Sequence, residues 1–156
     1  MRTFISEDVA HGIKLLDFKC LRVLKLYGYT KKELPSSIGQ LIHLRLLHLS
    51  STSIEALPKS ITKLFNLQTL IIEFCDYLKE LPKDLKKLIN LRHIYIKRTP
   101  KDIGKLTFLQ RLPFFIVGQD AGHRIEELGC LNQIRGELHI YCVEHVRDKE
   151  EARSAN

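Results

Sequence analysis

The sequence predicts an α/β solenoid: a stack of short repeats with a parallel β-sheet on the concave face and loops, 3-10 turns and short helices on the convex face. Three observations lead to this prediction. Leucine accounts for 26 of the 156 residues. An L-x-x-L-x-L pattern recurs every 23 or 24 residues, and a Leu-Pro pair follows each of the first three copies. Such a period is typical of solenoids, in which neighbouring repeats bury one continuous core.

Each copy of the pattern predicts a short β-strand that is apolar on one face. The copies begin at Leu21, Leu44, Leu67 and Leu91, and isoleucine replaces some leucines in the last two. Apolar residues recur at a period of two, as in a strand that is buried on one side. Stacking pairs these strands in parallel over one leucine core, so the chain is predicted to be an array of leucine-rich repeats.

The convex side follows from the residues after each strand. A Leu-Pro pair turns the chain away from the sheet, because proline fixes φ and cannot donate a ladder hydrogen bond. Two apolar residues three positions apart then fit a 3-10 turn that covers the core. The segments are Leu34-Pro35 with Ile38/Leu41, Leu57-Pro58 with Ile61/Leu64, and Leu81-Pro82 with Leu85/Leu88.

One position in each repeat, before the Leu-Pro pair, is expected to bond the neighbouring backbone. Thr52, Cys75 and Thr99 are small enough to form such a ladder. Tyr29 occupies the same position in the first repeat and is too large to fit in the same way. The first turn is therefore predicted to be distorted.

The second half of the array is irregular. Only 18 residues separate Leu91 from Leu109, and that repeat has no Leu-Pro pair. Three glycines then predict an irregular loop over residues 115–130, containing a short helix, before a further strand within residues 136–141. We therefore divide the chain into an amino-terminal lead-in or partial cap (1–18), leucine-rich repeats (19–146) and a truncated polar helix (147–156).

The positive charge of the chain is concentrated in one stretch. The net charge of +7 comes mainly from a stretch between Lys79 and Lys105, where nine residues are basic and three acidic. These basic residues are not interleaved with aromatics on one face, so a solvated convex surface is favoured over a nucleic-acid site.

The sequence favours a cytoplasmic protein. The cysteines are scattered, which predicts a reducing compartment. The chain has no apolar signal segment and no bilayer-spanning stretch, so we expect no membrane partner.

Four sequence segments resemble those of a known protein family. They are Cys20-Leu21-Arg22-Val23-Leu24, Leu34-Pro35-Ser36-Ser37-Ile38-Gly39, Phe65-Asn66-Leu67-Gln68-Thr69-Leu70 and Ile89-Asn90-Leu91-Arg92-His93. They resemble the repeats of plant disease-resistance proteins of the coiled-coil, nucleotide-binding, leucine-rich-repeat class, which are intracellular immune receptors. The resemblance implies a fragment of such a repeat domain, acting in the defence response by protein recognition and autoregulation. The chain contains no P-loop motif for a nucleotide. The alternative is an intracellular leucine-rich repeat scaffold or adaptor unrelated to immunity.

Twelve candidate binding residues face away from the leucine core at the third, fifth and seventh positions of the pattern. They are Val23, Lys25, Tyr27, Leu46, His48, Ser50, Thr69, Ile71, Glu73, His93, Tyr95 and Lys97. This mixture of apolar, aromatic and basic groups suits protein recognition. The alternative is that these positions are only the solvated face of the sheet and bind nothing. The resemblance implies contact with the nucleotide-binding domain of a receptor, and a pathogen-derived or host protein is the other candidate partner.

The sequence predicts no catalytic or metal site. The spacing of Cys130, His139, Cys142 and His145 matches none of the usual paired zinc ligands. No nucleophile, base and acid occur at a meaningful spacing. We therefore expect no metal, no cofactor and no enzymatic activity.

Overall fold

The computed structural model describes residues 2–7, 15–79 and 81–155. Within these ranges the chain forms a leucine-rich repeat solenoid with parallel strands, which confirms the predicted fold class. The first sheet contains five strands in chain order: β1 (Thr3–Glu7), β2 (Val23–Tyr27), β3 (Leu46–Ser50), β4 (Thr69–Glu73) and β5 (His93–Ile96). The second contains β6 (Phe114–Ile116) and β7 (His139–Tyr141).

Strands β2 to β5 hold their register through the leucines of the repeat. Leu24, Leu47, Leu70 and Ile94 align from strand to strand, and each is fully buried. Burial of one such side chain stabilises the fold by roughly 1.5–3 kcal/mol. A slip of one residue would turn the whole buried face to solvent, so the apolar pattern fixes the register.

Short 3-10 turns cover the core on the convex side, as predicted. They span Leu15–Asp17, Ser36–Gln40, Lys59–Lys63, Lys83–Lys87, Ile103–Lys105 and Ile125–Cys130, and each contains a buried residue. A further 3-10 turn, Val143–His145, follows β7 and contains no buried residue. Neighbouring turns pack closely: a Cβ on Gly39 would lie only 2.7 Å from the backbone oxygen of Ser60. Glycine is therefore needed where these two turns meet.

The predicted side-chain ladder is present in part. Thr52 is buried with its Oγ1 atom 3.0 Å from Sγ of Cys75, and the Thr99 hydroxyl oxygen accepts a hydrogen bond from the Ile116 amide at 2.8 Å. Tyr29 places its ring in the core and donates its hydroxyl to the backbone oxygen of Glu33 at 3.3 Å. Burial raises the pKa of this hydroxyl.

The first turn does not show the distortion expected from Tyr29. Gly28, which directly follows β2, has a φ of 62°, and the equivalent residues after β3 and β4 have nearly the same value. Tyr29 is accommodated because its ring is directed into the core while its backbone oxygen still accepts from the Ser53 amide at 2.8 Å.

The amino-terminal segment does more than lead into the repeats. Residues Thr3–Glu7 form β1, which pairs with β2 in the same parallel register as the later strands. Phe4 stacks near Phe18, with 5.0 Å between ring centroids, and Leu15 is buried. Phe4 and Ser6 align with Leu24 and Leu26 of β2, so the segment lacks the alternating leucines of the other strands and the sequence pattern did not indicate a strand.

The sheet breaks between β5 and β6. An isolated bridge from His93 to Arg111 continues the first sheet, and β6 then begins after Pro113. Pro113 interrupts the alternation: Leu112 and Phe115, three residues apart, are both buried, whereas Phe114 is half-buried. The residues predicted as an irregular loop, 115–130, therefore include the end of β6 and the 3-10 turn Ile125–Cys130.

The last elements lie within the predicted ranges but are shorter. Strand β7 occupies residues 139–141 of the expected 136–141, and helix α1 spans Lys149–Ser154 within the expected 147–156. The Asp148 carboxylate caps this helix by accepting from the amides of Glu150 and Glu151 at 2.9 and 2.8 Å. No helix among the described residues is long and apolar enough to cross a membrane.

Candidate functional site

Eleven of the twelve candidate residues lie in three rows that cross strands β2 to β5. The register aligns Val23, Leu46, Thr69 and His93 in one row, and Lys25, His48, Ile71 and Tyr95 in the next. The third row contains Tyr27, Ser50 and Glu73. Because strands lie about 4.8 Å apart, residues adjacent in a row are within side-chain reach of one another. The rows thus form one continuous surface.

A polar chain of three side chains crosses this surface. The Tyr27 hydroxyl lies 3.4 Å from Nδ1 of His48, and the two rings meet edge to face at 5.3 Å. On the other side, Nε2 of His48 lies 3.4 Å from a carboxylate oxygen of Glu73. This contact is within ion-pair distance but lacks hydrogen-bond geometry, so among the described residues Nε2 is buried without a hydrogen-bond partner.

A polar contact also joins two residues of the row that begins with Val23. The Thr69 hydroxyl lies 3.3 Å from Nδ1 of His93 in the neighbouring strand. Both side chains are half-buried, as are Val23 and Leu46. The sequence predicted that these residues share a face, but the pairing of each imidazole with a particular hydroxyl depends on side-chain length and was not predicted.

Two candidate residues differ from the expectation of an open surface. Ser50 is 8% exposed because its short side chain lies in a row between Tyr27 and Glu73. Lys97 follows the end of β5, and its ammonium group pairs with the carboxylate of Asp76 at 2.8 Å. Lys97 therefore extends towards the turn after β4 rather than completing the third row.

Charged side chains outside the sheet form pairs between repeats. Glu55 bonds Lys32 at 2.7 Å and Lys79 at 3.0 Å, and Asp102 bonds Lys86 at 2.7 Å. Hydrogen bonds from Lys32 and then Lys79, with their positive charges, lower the pKa of Glu55 to about 2. The hydrogen bond from Lys86 is the main cause that lowers the pKa of Asp102.

Three of the four residues considered for zinc are engaged in other ways or exposed, and the fourth, Cys142, is half-buried. Nδ1 of His145 lies 2.9 Å from the backbone oxygen of Val117, His139 lies near Glu137, and Cys130 is exposed. In the described part of the chain, no three histidine, cysteine, aspartate or glutamate side chains are grouped so that they could hold a metal ion.

A solenoid of this geometry, with one continuous strand surface and a covered leucine core, defines the class of protein. The family model for the leucine-rich repeat region matches residues 2–155, and the chain belongs to that family. Among solved structures it is similar to a leucine-rich repeat protein of Leptospira interrogans. That similarity has a TM-score of 0.66 at 25% sequence identity and covers 93% of this chain and 37% of the other.

The curated relatives are plant disease resistance proteins, which confirms the predicted resemblance. The chain is 42% identical over 145 residues to disease resistance protein RGA2 of Solanum bulbocastanum, covering 89% of this chain. It is 43% identical over 148 residues to putative disease resistance protein RGA1 of the same species, covering 91%. A putative disease resistance protein of Arabidopsis thaliana is 41% identical over 140 residues, covering 86%. The chain spans 15%, 15% and 10% of these relatives' lengths.

Proposed function

We propose that this leucine-rich repeat region works in a cytoplasmic plant immune receptor, by binding protein through the concave face of strands β2 to β5. The observation that carries the proposal is the row arrangement, which joins candidate residues of four repeats into one surface. Repeat proteins commonly use such extended concave surfaces for recognition. The kinship with disease resistance proteins supports the immune setting.

The centre of this surface has the composition of a protein interface. His48 and Tyr95 flank Ile71 in one row, and Tyr27 packs against His48; all four side chains are partly buried. Aromatic residues in the centre of an interface tend to contribute most of the binding energy, while charged residues at the rim contribute less. The partner we propose is the nucleotide-binding domain of a receptor of the resembled class, which the repeats would hold in its inactive state.

The test measures binding of a purified nucleotide-binding domain from a receptor of that class by isothermal titration calorimetry. The variant His48→Ala/Ile71→Ala/Tyr95→Ala is expected to weaken binding at least tenfold, or by about 1.4 kcal/mol. The matched control, Ser36→Ala/Lys63→Ala/Lys87→Ala, changes exposed residues of three convex turns and is expected to leave affinity unchanged. Equal affinity of the two variants would exclude the concave surface, and absence of binding by the unmodified chain would exclude this partner.

A further inference from the structure

The shortened fourth repeat uncovers two leucines of the third. In the second repeat Ile54 and Leu57 are 1% and 6% exposed, because the following repeat lies against them and the Lys79 amide donates to the Glu55 oxygen at 3.0 Å. Leu78 and Leu81 occupy the same two positions in the third repeat, yet both are only half-buried. The fourth repeat has no equivalent covering segment, since it passes from Thr99 to its 3-10 turn within a few residues.

A pocket of about 360 Å³ fills the space that the missing segment leaves. Leu78 and Leu81 line it together with the buried side chains of Ile72 and Ile96. His123 closes one side, on a loop held by the hydrogen bond from the Asp102 amide to the Gly122 oxygen at 2.8 Å. Pockets for small organic ligands start at about this size and combine apolar walls with a few polar groups.

The polar lining of the pocket is strongly basic. Its charged residues in the described ranges are Asp76, Lys79, Lys83, Lys97, Arg98 and Lys101. Only some of the positive charge is neutralised: Lys97 pairs with Asp76 at 2.8 Å, and Lys79 pairs with Glu55 at 3.0 Å.

Three cations of the lining form no ion pair with a carboxylate in the described part of the chain. Arg98 donates to the neutral backbone oxygen of Lys79 at 3.1 Å, and Lys83 and Lys101 form no ion pair with any described carboxylate. An anion placed among them gains charge-assisted hydrogen bonds. The preceding repeat has a lysine at the position of Lys83, Lys59, but there the equivalent apolar residues, Ile54 and Leu57, are covered.

We propose that this pocket binds a small amphipathic organic anion, a ligand class distinct from the protein partner of the concave face. The apolar body of the ligand lies against Leu78 and Leu81, and its sulfonate, carboxylate or phosphate group lies near Lys83, Arg98 and Lys101. A purely inorganic anion leaves the leucines in water, and a neutral apolar molecule leaves the cations without a partner. Only a molecule with both parts satisfies both surfaces.

The probe for this site is naphthalene-1-sulfonate, titrated into the full chain and followed by the NMR signals of leucine methyl groups. We expect saturable shifts at Leu78 and Leu81 and none at Leu57. Inorganic phosphate, which has only the anionic part, and 1-naphthalenemethanol, which has only the apolar part, are expected to bind at least tenfold more weakly. Higher ionic strength is expected to weaken the binding of the sulfonate and not of the alcohol.

Matched charge variants locate the anionic end. Lys83→Gln/Lys101→Gln is expected to weaken naphthalene-1-sulfonate binding about tenfold. Lys59→Gln/Lys63→Gln, which removes two charges from the convex turn of the preceding repeat, is expected to leave it unchanged. All four lysines are exposed, so both variants are expected to fold. The proposal is overturned if the sulfonate does not bind, if the two variants behave alike, or if phosphate binds equally well. Displacement of the probe by the nucleotide-binding domain would assign the pocket to a protein contact instead.

Discussion

The residues that directly follow three neighbouring strands share a left-handed backbone. Gly28, Ser51 and Phe74 have φ values of 62°, 52° and 53°. Glycine adopts this conformation without steric penalty, whereas a residue with a Cβ atom is disfavoured by about 1 kcal/mol or more. The repeat imposes the turn, and only the first copy has the residue that suits it.

Ser51→Gly is therefore expected to stabilise the chain. Removal of the Cβ atom relieves the left-handed strain, and we expect the free energy of unfolding to rise by about 1 kcal/mol. The measurement is urea denaturation followed by circular dichroism. Ser53→Gly is the control, because Ser53 lies in the same turn without a positive φ, and glycine there is expected to lower stability. Equal losses in both variants would show that Ser51 carries no strain.

At the scale of the element, the sequence pattern predicted the strands whose buried face is leucine or isoleucine. Val23–Tyr27 and its three successors follow directly from period-two alternation, because a shifted register would expose the core. The same reasoning placed candidate residues such as His48 and Ile71 on one face. It did not predict the contact of His48 with Tyr27 or the turning of Lys97 to Asp76, since both depend on side-chain reach.

The sequence pattern did not predict strands β1 and β6, for different physical reasons. Strand β1 pairs in full register without any leucine, because the neighbouring strand and Phe18 supply the contacts that its own sequence lacks. Strand β6 follows Pro113, where the buried positions shift by one residue. The short repeat was visible in the sequence, but the pocket it leaves between Leu78 and Pro100 required the positions of both repeats.

Convex segments of three repeats are joined by the Lys32–Glu55–Lys79 ladder, which gives an acid-dependent prediction. The folded pKa of Glu55 is about 2, below its ordinary value of 4.5. The contribution of Glu55 to stability is therefore fully present above about pH 4.5 and is lost as the pH falls through about 2. Glu55→Gln is expected to destabilise the chain at pH 7, and this difference from the unmodified chain is expected to disappear as the pH falls towards 2.

Chemical denaturation at a series of pH values tests the ladder. Glu33→Gln is the matched control, since Glu33 is exposed and forms no ion pair with a described residue. Because the ladder is at the surface, raising the salt concentration is expected to reduce the effect of Glu55→Gln at pH 7. A difference between Glu55→Gln and the unmodified chain that stays constant from pH 7 to pH 2 would contradict the ladder's role.

At the scale of the whole molecule, strand β7 differs from the inner strands because one of its edges is unpaired among the described residues. Strand β7 pairs with β6 on one side, and among the described residues no strand pairs with its other side. The adjacent apolar side chains are open to solvent: Ile140 is 39%, Tyr141 54% and Val143 57% exposed. An unpaired strand edge beside exposed apolar residues is a template for association, and the net charge of +7 opposes it only at low salt.

We therefore expect the isolated chain to self-associate through β7 as its concentration rises, more strongly at high salt than at low salt. Sedimentation velocity measures the association. Ile140→Lys/Val143→Lys places charge beside the open edge and is expected to shift the chain towards monomer. Ile42→Lys/Ile89→Lys adds the same charge at two similarly exposed isoleucines away from β7, and association is expected to persist in that variant at high salt. A chain that remains monomeric at every concentration and salt level, or an equal response to both variants, would contradict association through this edge.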